Sequence, residues 1–168
     1  MPRLPIAIFV TLSLFLSACT TLHKGVEFSE VATSRNDAAL VYLYRSGVAP
    51  FWRSPTLVID GTDISEVKNT SFTYFYLTEG KHSIATRWAL DLYPLNVEGS
   101  MEVKNGQTYF LKLGGGMLMS PGLGQAALVT SISSNLGQVD RLTALREMKS
   151  CMYMPNALEQ PSLTADSN

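Results

Sequence analysis

The chain has 168 residues, of which 46% are hydrophobic, and its formal net charge is −1. This length suits one folded domain of ordinary size. The sequence has no run of Lys and Arg residues, so it gives nucleic-acid binding no electrostatic support.

The N-terminus has the pattern of an export signal. Arg3 is the only charged residue among the first 22, and an apolar stretch follows it at residues 6–16. A positive start, an apolar segment and a small residue such as Ala18 are typical of a secretory signal. The apolar stretch is shorter than the about 20 residues of a membrane-spanning helix. We therefore predict that residues 1–18 form a signal helix that is cleaved between Ala18 and Cys19.

The segment Leu16-Ser17-Ala18-Cys19 resembles the lipobox of bacterial lipoproteins. The resemblance implies that the Cys19 thiol receives a diacylglycerol and that the new amino group is acylated, with fatty acids such as palmitate. Two or three such chains hold a protein firmly at a membrane. Thr20, in place of the Asp that retains lipoproteins at the inner membrane, implies the periplasmic face of the outer membrane. The alternative is an ordinary secretory signal that leaves Cys19 for a disulfide.

Residues 19–36 mix polar, small and charged types without a period, which predicts a flexible tether to a domain at residues 37–150. Seven segments of the domain are rich in β-branched and aromatic residues, as strands are. Apolar spacing predicts one short helix near its C-terminal end. Together they predict an all-β fold, an antiparallel β-sandwich of six or seven strands. The strand segments are residues 39–45, 56–60, 71–77, 81–88, 95–103, 107–113 and 127–132, and the helix is residues 139–148.

Turn residues predict how these strands are joined. Asp60-Gly61 and Asn105-Gly106 favour tight hairpin turns, and Thr78-Glu79-Gly80 predicts a third hairpin between its flanking strands. Three consecutive glycines at residues 114–116 and the stretch that follows them, residues 117–125, predict a mobile connection, and Gly137 predicts a break in the chain. The prolines and small polar residues after the helix predict a C-terminal tail, residues 151–168, that is largely disordered.

The order of these segments resembles a domain found in many bacterial lipoproteins, the family known as domain of unknown function 2846. The resemblance extends over about residues 38–145. It implies a small β fold and an envelope location, and it implies no activity and no catalytic residues. A looser likeness is to sandwich modules that bind or space rather than catalyse. Its most specific parts are the first strand ending at Arg45, the Ile59-Asp60-Gly61 turn, the Gly80-Lys81-His82 turn and the Gly106-x-x-Tyr109 pattern.

Two loops rich in aromatic residues are the candidate interaction surface. Phe51 and Trp52 lie between two prolines, and Trp88 and Tyr93 lie in an apolar connection. The pattern favours cover of the core for both loops; the alternative is that the residues are exposed and bind a partner or a lipid surface, because aromatic residues are enriched at binding hot spots.

Candidate catalytic residues are few. The two histidines are His23, in the predicted tether, and His82, after a turn. The serines lie in no G-x-S-x-G motif, so the sequence favours a turn role for His82 over that of a catalytic base. A hydrolase would need a pair of carboxylates, and turn chemistry alone also explains acidic residues at such positions. The candidates for that pair are Asp60, Asp63, Glu66 and Asp91.

Sulfur-containing residues cluster near the C-terminus. Met148, Cys151 and Met154 have soft ligand atoms that suit Cu(I), or they pack as adaptable apolar groups. Once Cys19 is acylated, Cys151 is the only thiol left, and it is buried, exposed or paired between chains. The glycines at residues 114–116 lack the Lys-Ser/Thr pair of a phosphate-binding loop. We therefore predict no cofactor and no metal.

The sequence thus predicts a non-enzymatic, lipid-anchored envelope lipoprotein. Its domain would serve as a binding or structural module for an envelope protein or a peptidoglycan partner. A small envelope hydrolase is one alternative. A copper-handling lipoprotein that uses residues 148–154 is the other.

Overall fold

The computed structural model describes residues 26–31, 35–89, 95–121 and 128–158. Cys19, the predicted signal peptide and Tyr93 lie outside these residues, so the predictions made for them stay predictions. In this part of the chain, no helix has the length and apolar character that crossing a bilayer requires. The elements are β1 (Ala39–Arg45), β2 (Thr56–Ile59), β3 (Thr62–Glu66), β4 (Ser71–Leu77), β5 (Gly80–Arg87), β6 (Val97–Val103), β7 (Thr108–Pro121), β8 (Leu128–Gln138), α1 (Arg141–Met148) and β9 (Met152–Tyr153).

The strands form two sheets, which confirms the predicted β-sandwich. Sheet A has the order β8-β7-β1-β4-β9, and sheet B has the order β3-β2-β5-β6. Sheet A is mixed rather than antiparallel, because β1 pairs in parallel with β7, and β4 pairs in parallel with β9. The nine strands of the described residues also exceed the six or seven predicted. The predicted C-terminal helix is confirmed as α1.

The main core lies between the two sheets. Alternate residues of β1, among them Val41 and Leu43, face sheet B, where they pack with Leu57 and Ile84. This follows from the two-residue period of a strand, which places every second side chain on the same face.

A second core covers the opposite face of sheet A. Tyr42 and Tyr44, which alternate with the first set along β1, pack there with Met148 of α1. Phe28 from the N-terminal segment meets the Tyr42 ring edge-on at 6.1 Å. The Asp140 side chain starts α1 by accepting a hydrogen bond from a first-turn amide. Because β1 is covered on both faces, all seven of its residues are buried.

Only the first predicted hairpin of the three forms. β2 and β3 pair around Asp60 and Gly61, whose φ values are 49° and 79°, as a tight turn between antiparallel strands requires. The hairpins predicted at residues 78–80 and at Asn105-Gly106 are wrong, because β4 and β7 lie in sheet A whereas β5 and β6 lie in sheet B. A glycine at positive φ therefore does not always mark a hairpin. Gly106, with a φ of 72°, lies in a connection that crosses from one sheet to the other.

The glycines at residues 114–116 lie inside a long strand. They pair with residues 133–135 of β8, and Gly137 is itself a paired strand residue. The predicted chain break at Gly137 is therefore wrong, and so is the predicted mobile connection as far as Pro121, whereas residues 122–125 lie outside the described residues. Gly115 permits close packing instead, because a Cβ there would lie 2.6 Å from the carbonyl oxygen of Ala49.

Both ends of the predicted domain extend further than the sequence pattern indicates. Met152 of β9 pairs with Ser71 and forms a bridge with Glu27 from the predicted tether. Residues 151–158 of the predicted tail therefore belong to the folded domain. Residues 159–168 lie outside the described residues.

Candidate functional site

Arg45, the last residue of β1, holds the connection between β1 and β2, residues 46–55, which we call the 46–55 loop. Its side chain is 1% exposed. The guanidinium donates hydrogen bonds to the backbone carbonyls of Val48 at 3.0 Å, Arg53 at 2.8 Å, and Pro50. Burial lowers the pKa of Arg45. Because a guanidinium carries five N–H donors in one plane, a single side chain fixes several carbonyls of the loop.

A second polar side chain fixes the base of the same loop. The Asn69 side chain accepts a hydrogen bond from the amide of Val48 at 3.1 Å and donates one to the carbonyl of the same residue at 3.2 Å. The Ala49–Pro50 peptide bond is cis, and the Ala49 carbonyl lies close to the backbone of Gly115. The base of the 46–55 loop is therefore held by Arg45 and Asn69 and lies against β7.

The tip of the 46–55 loop is exposed. Trp52 is 96% exposed and Phe51 is 52% exposed, and their ring centres lie 6.5 Å apart. The favoured prediction that these two residues cover the core is therefore wrong, because the loop directs both rings away from the sandwich and into solvent. Their role in binding stays a prediction.

Trp88 does not belong to that surface, because it is only 5% exposed. The guanidinium carbons of Arg45 and Arg53 lie 5.2 Å and 5.7 Å from its ring centre. A cation that lies over an aromatic ring is attracted to its π electrons. Trp88 therefore stabilises the 46–55 loop through its contacts with Arg45 and Arg53. Sequence reasoning missed the role of Arg45, although an arginine that ends an otherwise apolar, aromatic strand was the available signal.

His82 and Asp60 form an ion pair beside the β2–β3 turn. The His82 Nδ1 lies 2.6 Å from Asp60 Oδ2, and its Nε2 lies 2.8 Å from the carbonyl oxygen of Thr78. Since both partners are acceptors, both ring nitrogens donate, and the ring is protonated when both bonds form. Burial lowers the pKa of His82, but the hydrogen bonds outweigh burial and leave that pKa above its ordinary value. The His82 bond lowers the pKa of Asp60.

Ser83 completes a set of Ser, His and Asp side chains that is not a catalytic triad. The Ser83 Oγ lies 3.5 Å from Asp60 Oδ1, and the Ser83 amide donates to the same oxygen at 2.8 Å. A triad needs the serine hydroxyl on a histidine nitrogen that is free to accept a proton. Both nitrogens of His82 are already occupied, so this cluster stabilises the turn.

The other candidate carboxylates do not converge with it in the described residues. Asp63 pairs with Arg87 at 3.5 Å on the surface, and Asp91 lies outside the described residues. A shallow groove of about 560 Å³ runs beside the 46–55 loop, and its one charged lining residue, Lys112, bonds to Glu147 at 2.8 Å. The groove is lined by Val48, Lys112, Gly114, Gly115, Asn135, Leu136, Gly137 and Val139.

The sulfur residues near the C-terminus pack in the second core. Met148 and Cys151 are buried there, and Cys151 is a free cysteine. Its thiol lies 3.8 Å from the carbonyl oxygen of Arg45. Burial raises the pKa of Cys151 to about 11, which keeps the thiol protonated and makes it a poor ligand. In the described part of the chain, no three His, Cys, Asp or Glu side chains form a metal-binding group.

Comparisons with known proteins place the chain in a family. No curated protein and no solved structure matches it. One family model matches residues 35–121, which is more than half of the chain and includes β1 to β7 and the whole 46–55 loop. The chain therefore belongs to the family described as protein of unknown function (DUF2846), as its sequence pattern predicts.

Proposed function

We propose that this protein is a lipid-anchored envelope lipoprotein that acts by binding, with Phe51 and Trp52 as its contact surface. The observation that carries the proposal is that Trp52 is almost fully exposed, on a loop whose backbone carbonyls bond to the buried Arg45. Tryptophan is among the residues most enriched at binding hot spots. A loop that is fixed before binding also loses less conformational entropy when a partner is bound.

The sequence supports the anchor. The lipobox pattern ends at Cys19, and Thr20 follows it, which favours the outer membrane. The acyl chains on Cys19 would hold the domain at the periplasmic face of that membrane. The partner would then be a component of the envelope, for which an envelope protein, peptidoglycan and the lipid surface are the candidates.

The geometry of the polar groups supports binding over catalysis. His82 has both ring nitrogens occupied, and its serine neighbour bonds to Asp60. The buried Cys151 thiol and Met148 serve packing. The hydrolase and the copper-handling alternatives therefore receive less support than the binding module.

The anchor is tested by mass and by fractionation. We expect the mature protein to begin at Cys19 and to carry the mass of its acyl groups. Cys19→Ser should move the protein from the membrane fraction to the soluble fraction, because the acyl chains contribute about 0.8 kcal/mol per buried CH₂. Cys151→Ser is the matched control and should stay in the membrane. An unmodified Cys19 in the wild-type protein would refute the anchor.

The contact surface is tested by cross-linking in intact cells. A photoreactive amino acid replaces Trp52 in one variant and Leu142 in a control. Leu142 is also apolar and 75% exposed, but it lies in the first turn of α1. We expect a discrete cross-linked product from position 52, to protein, glycan or lipid, and none from position 142. Equal, diffuse products from both positions would show that the loop is not a contact surface.

A further inference from the structure

One row of residues across sheet A brings the N-terminal segment close to the 46–55 loop. Arg45 pairs with Ser71, Ser71 with Met152, and Met152 with Glu27. Since neighbouring strands lie 4.7–4.9 Å apart, Glu27 is about 14 Å from Arg45 along this row. The loop leaves sheet A at the Arg45 end of that row, so both features lie at the same end of the sandwich, which we call the Arg45 end.

The chain between Cys19 and the domain is short. Val26 is already fixed, because its carbonyl accepts a hydrogen bond from the amide of Tyr153 at 2.9 Å. Residues 19–25 are seven residues, which span at most about 25 Å. Val26 lies one residue away from the row of residues that contains Arg45 and Glu27, toward the opposite end of the sandwich. That opposite end of β4 lies about 17 Å further along the strand. An acylated Cys19 therefore keeps Val26 within about 25 Å of the bilayer, and Val26 lies closer to the Arg45 end than to the opposite end of the sandwich.

The surface of the Arg45 end suits a lipid headgroup region. Phe51 and Trp52 are exposed there. Among the described residues, the connections at this end carry Arg53, Lys68 and Lys149, and the acidic residues Glu27 and Glu66 lie there as well. Tryptophan is enriched at membrane interfaces, and long basic side chains place their charge at the same level.

The long pair β7 and β8 leaves the sandwich at the same end. Tyr44 pairs with Lys112, so Leu113 is level with Arg45, and eight further residues of β7, from Gly114 to Pro121, pair with β8 beyond it. The sequence from residue 113 to residue 139 contains no charged residue. This pair therefore adds no charge that contact with lipid would have to desolvate.

We infer that the Arg45 end of the sandwich rests on the phospholipid bilayer that holds Cys19, with Trp52 in the headgroup region. The inference rests on the proposed function, since it needs an acylated Cys19. It names the surface that the 46–55 loop contacts: lipid, rather than a protein or peptidoglycan. The loop then orients the domain on the membrane, and the opposite end of the sandwich, with the His82–Asp60 pair, faces away from it.

Tryptophan fluorescence tests the inference directly, because the chain has two tryptophans and Trp88 is buried. Acylated full-length mature protein is reconstituted into vesicles of phosphatidylethanolamine and phosphatidylglycerol whose acyl chains carry bromine at a shallow or a deep position. We expect quenching at least about twofold greater in the wild type than in Trp52→Phe. Shallow bromine should quench more than deep bromine. Equal quenching of the two proteins would overturn the inference.

A second variant controls for proximity to the vesicle. Leu142→Trp in the Trp52→Phe background places a tryptophan at another exposed position, on α1, and it should stay unquenched. If it is quenched as strongly as Trp52, the orientation is wrong.

The intact mass of the protein distinguishes a failure of the lipid contact from a failure of the proposed function. An unquenched Trp52 on an acylated protein, together with a protein cross-link from position 52 in cells, overturns the lipid contact and leaves the proposed function. An unmodified Cys19 overturns both.

Discussion

The guanidinium carbon of Arg45 lies 5.2 Å from the centre of the Trp88 ring, and both side chains are buried. The arginine makes no ion pair within the described residues. Backbone carbonyls of the 46–55 loop and one aromatic face compensate its charge instead. The pair joins the end of β1 to the residue that follows β5, so it links the two sheets beneath the exposed loop.

Replacement of Arg45 should destabilise the domain. Arg45→Met leaves the part-buried carbonyls of Pro50 and Arg53 without this donor, and each unsatisfied group costs about 1–3 kcal/mol. We expect the free energy of unfolding, measured by urea denaturation, to fall by about 3 kcal/mol. Arg146→Met, at an exposed position of α1, is the control and should change it by less than about 0.5 kcal/mol. Equal losses in the two variants would contradict the role of Arg45.

Two neighbouring glycines should respond differently to alanine. A Cβ at Gly115 would lie 2.6 Å from the carbonyl oxygen of Ala49 and 2.9 Å from that of Ser133, so the backbone has to move. At Gly116 the nearest atom would be the Ser133 hydroxyl at 3.5 Å, an ordinary contact. Gly115→Ala should lower the free energy of unfolding, measured by thermal denaturation, by about 1–3 kcal/mol. Gly116→Ala should lower it by less than about 1 kcal/mol. The reverse order would show that the loop does not lie against β7.

The His82–Asp60 pair should make stability depend on pH. The pKa of His82 is raised above its ordinary value of 6.5, so the folded state holds the proton more tightly than the unfolded state. This stabilisation is complete below pH 6.5 and is lost as pH rises through the raised pKa. We expect a loss of less than about 1 kcal/mol, because the Asp60 side chain is half exposed.

The measurement is urea denaturation of the wild type and of His82→Gln across that pH range. His82→Gln should lose the pH dependence and should be less stable than the wild type mainly at the acid end. Asp60→Asn should behave in the same way, since it removes the partner that raises the pKa. A wild-type stability that rises over this range would contradict the assignment.

The buried thiol of Cys151 should be unreactive in the folded protein. In Cys19→Ser it is the only thiol of the chain, and burial raises its pKa to about 11. Its reaction with an aromatic disulfide reagent at pH 8 should be at least about 100-fold slower in buffer than in denaturing urea. Absorbance of the released thiolate follows the reaction. Similar rates in both solutions would place Cys151 at the surface.

The strands could be predicted from the sequence, but the way they pair could not. Segments such as residues 39–45 and 71–77 have the aromatic and β-branched composition of buried strands. A turn dipeptide such as Asn105-Gly106 fixes only the local reversal of the chain. Whether the next strand joins the same sheet depends on which faces need cover, and β1 needs cover on both.

The sequence predicted some features of the candidate site and not others. Phe51 and Trp52 were recognisable as part of a loop rich in aromatic residues, but their exposure was not, because the pattern favoured core cover. The burial of Trp88 agrees with the predicted apolar cap, but its contact with Arg45 was not predictable, since Arg45 is distant in sequence and reaches it only in the folded sandwich. The same applies to β9, a pair of residues whose strand exists only because β4 lies beside it.

Because β1 pairs in parallel with β7, which comes much later in the chain, the most apolar strand, β1, is covered late in folding. Leu40 meets Thr108, so a nascent chain has to supply more than half of its length before the centre of sheet A closes. Until then β1, with its run of leucine, valine and tyrosine, is open to pairing with other chains. Slow folding follows from this topology rather than from weak packing.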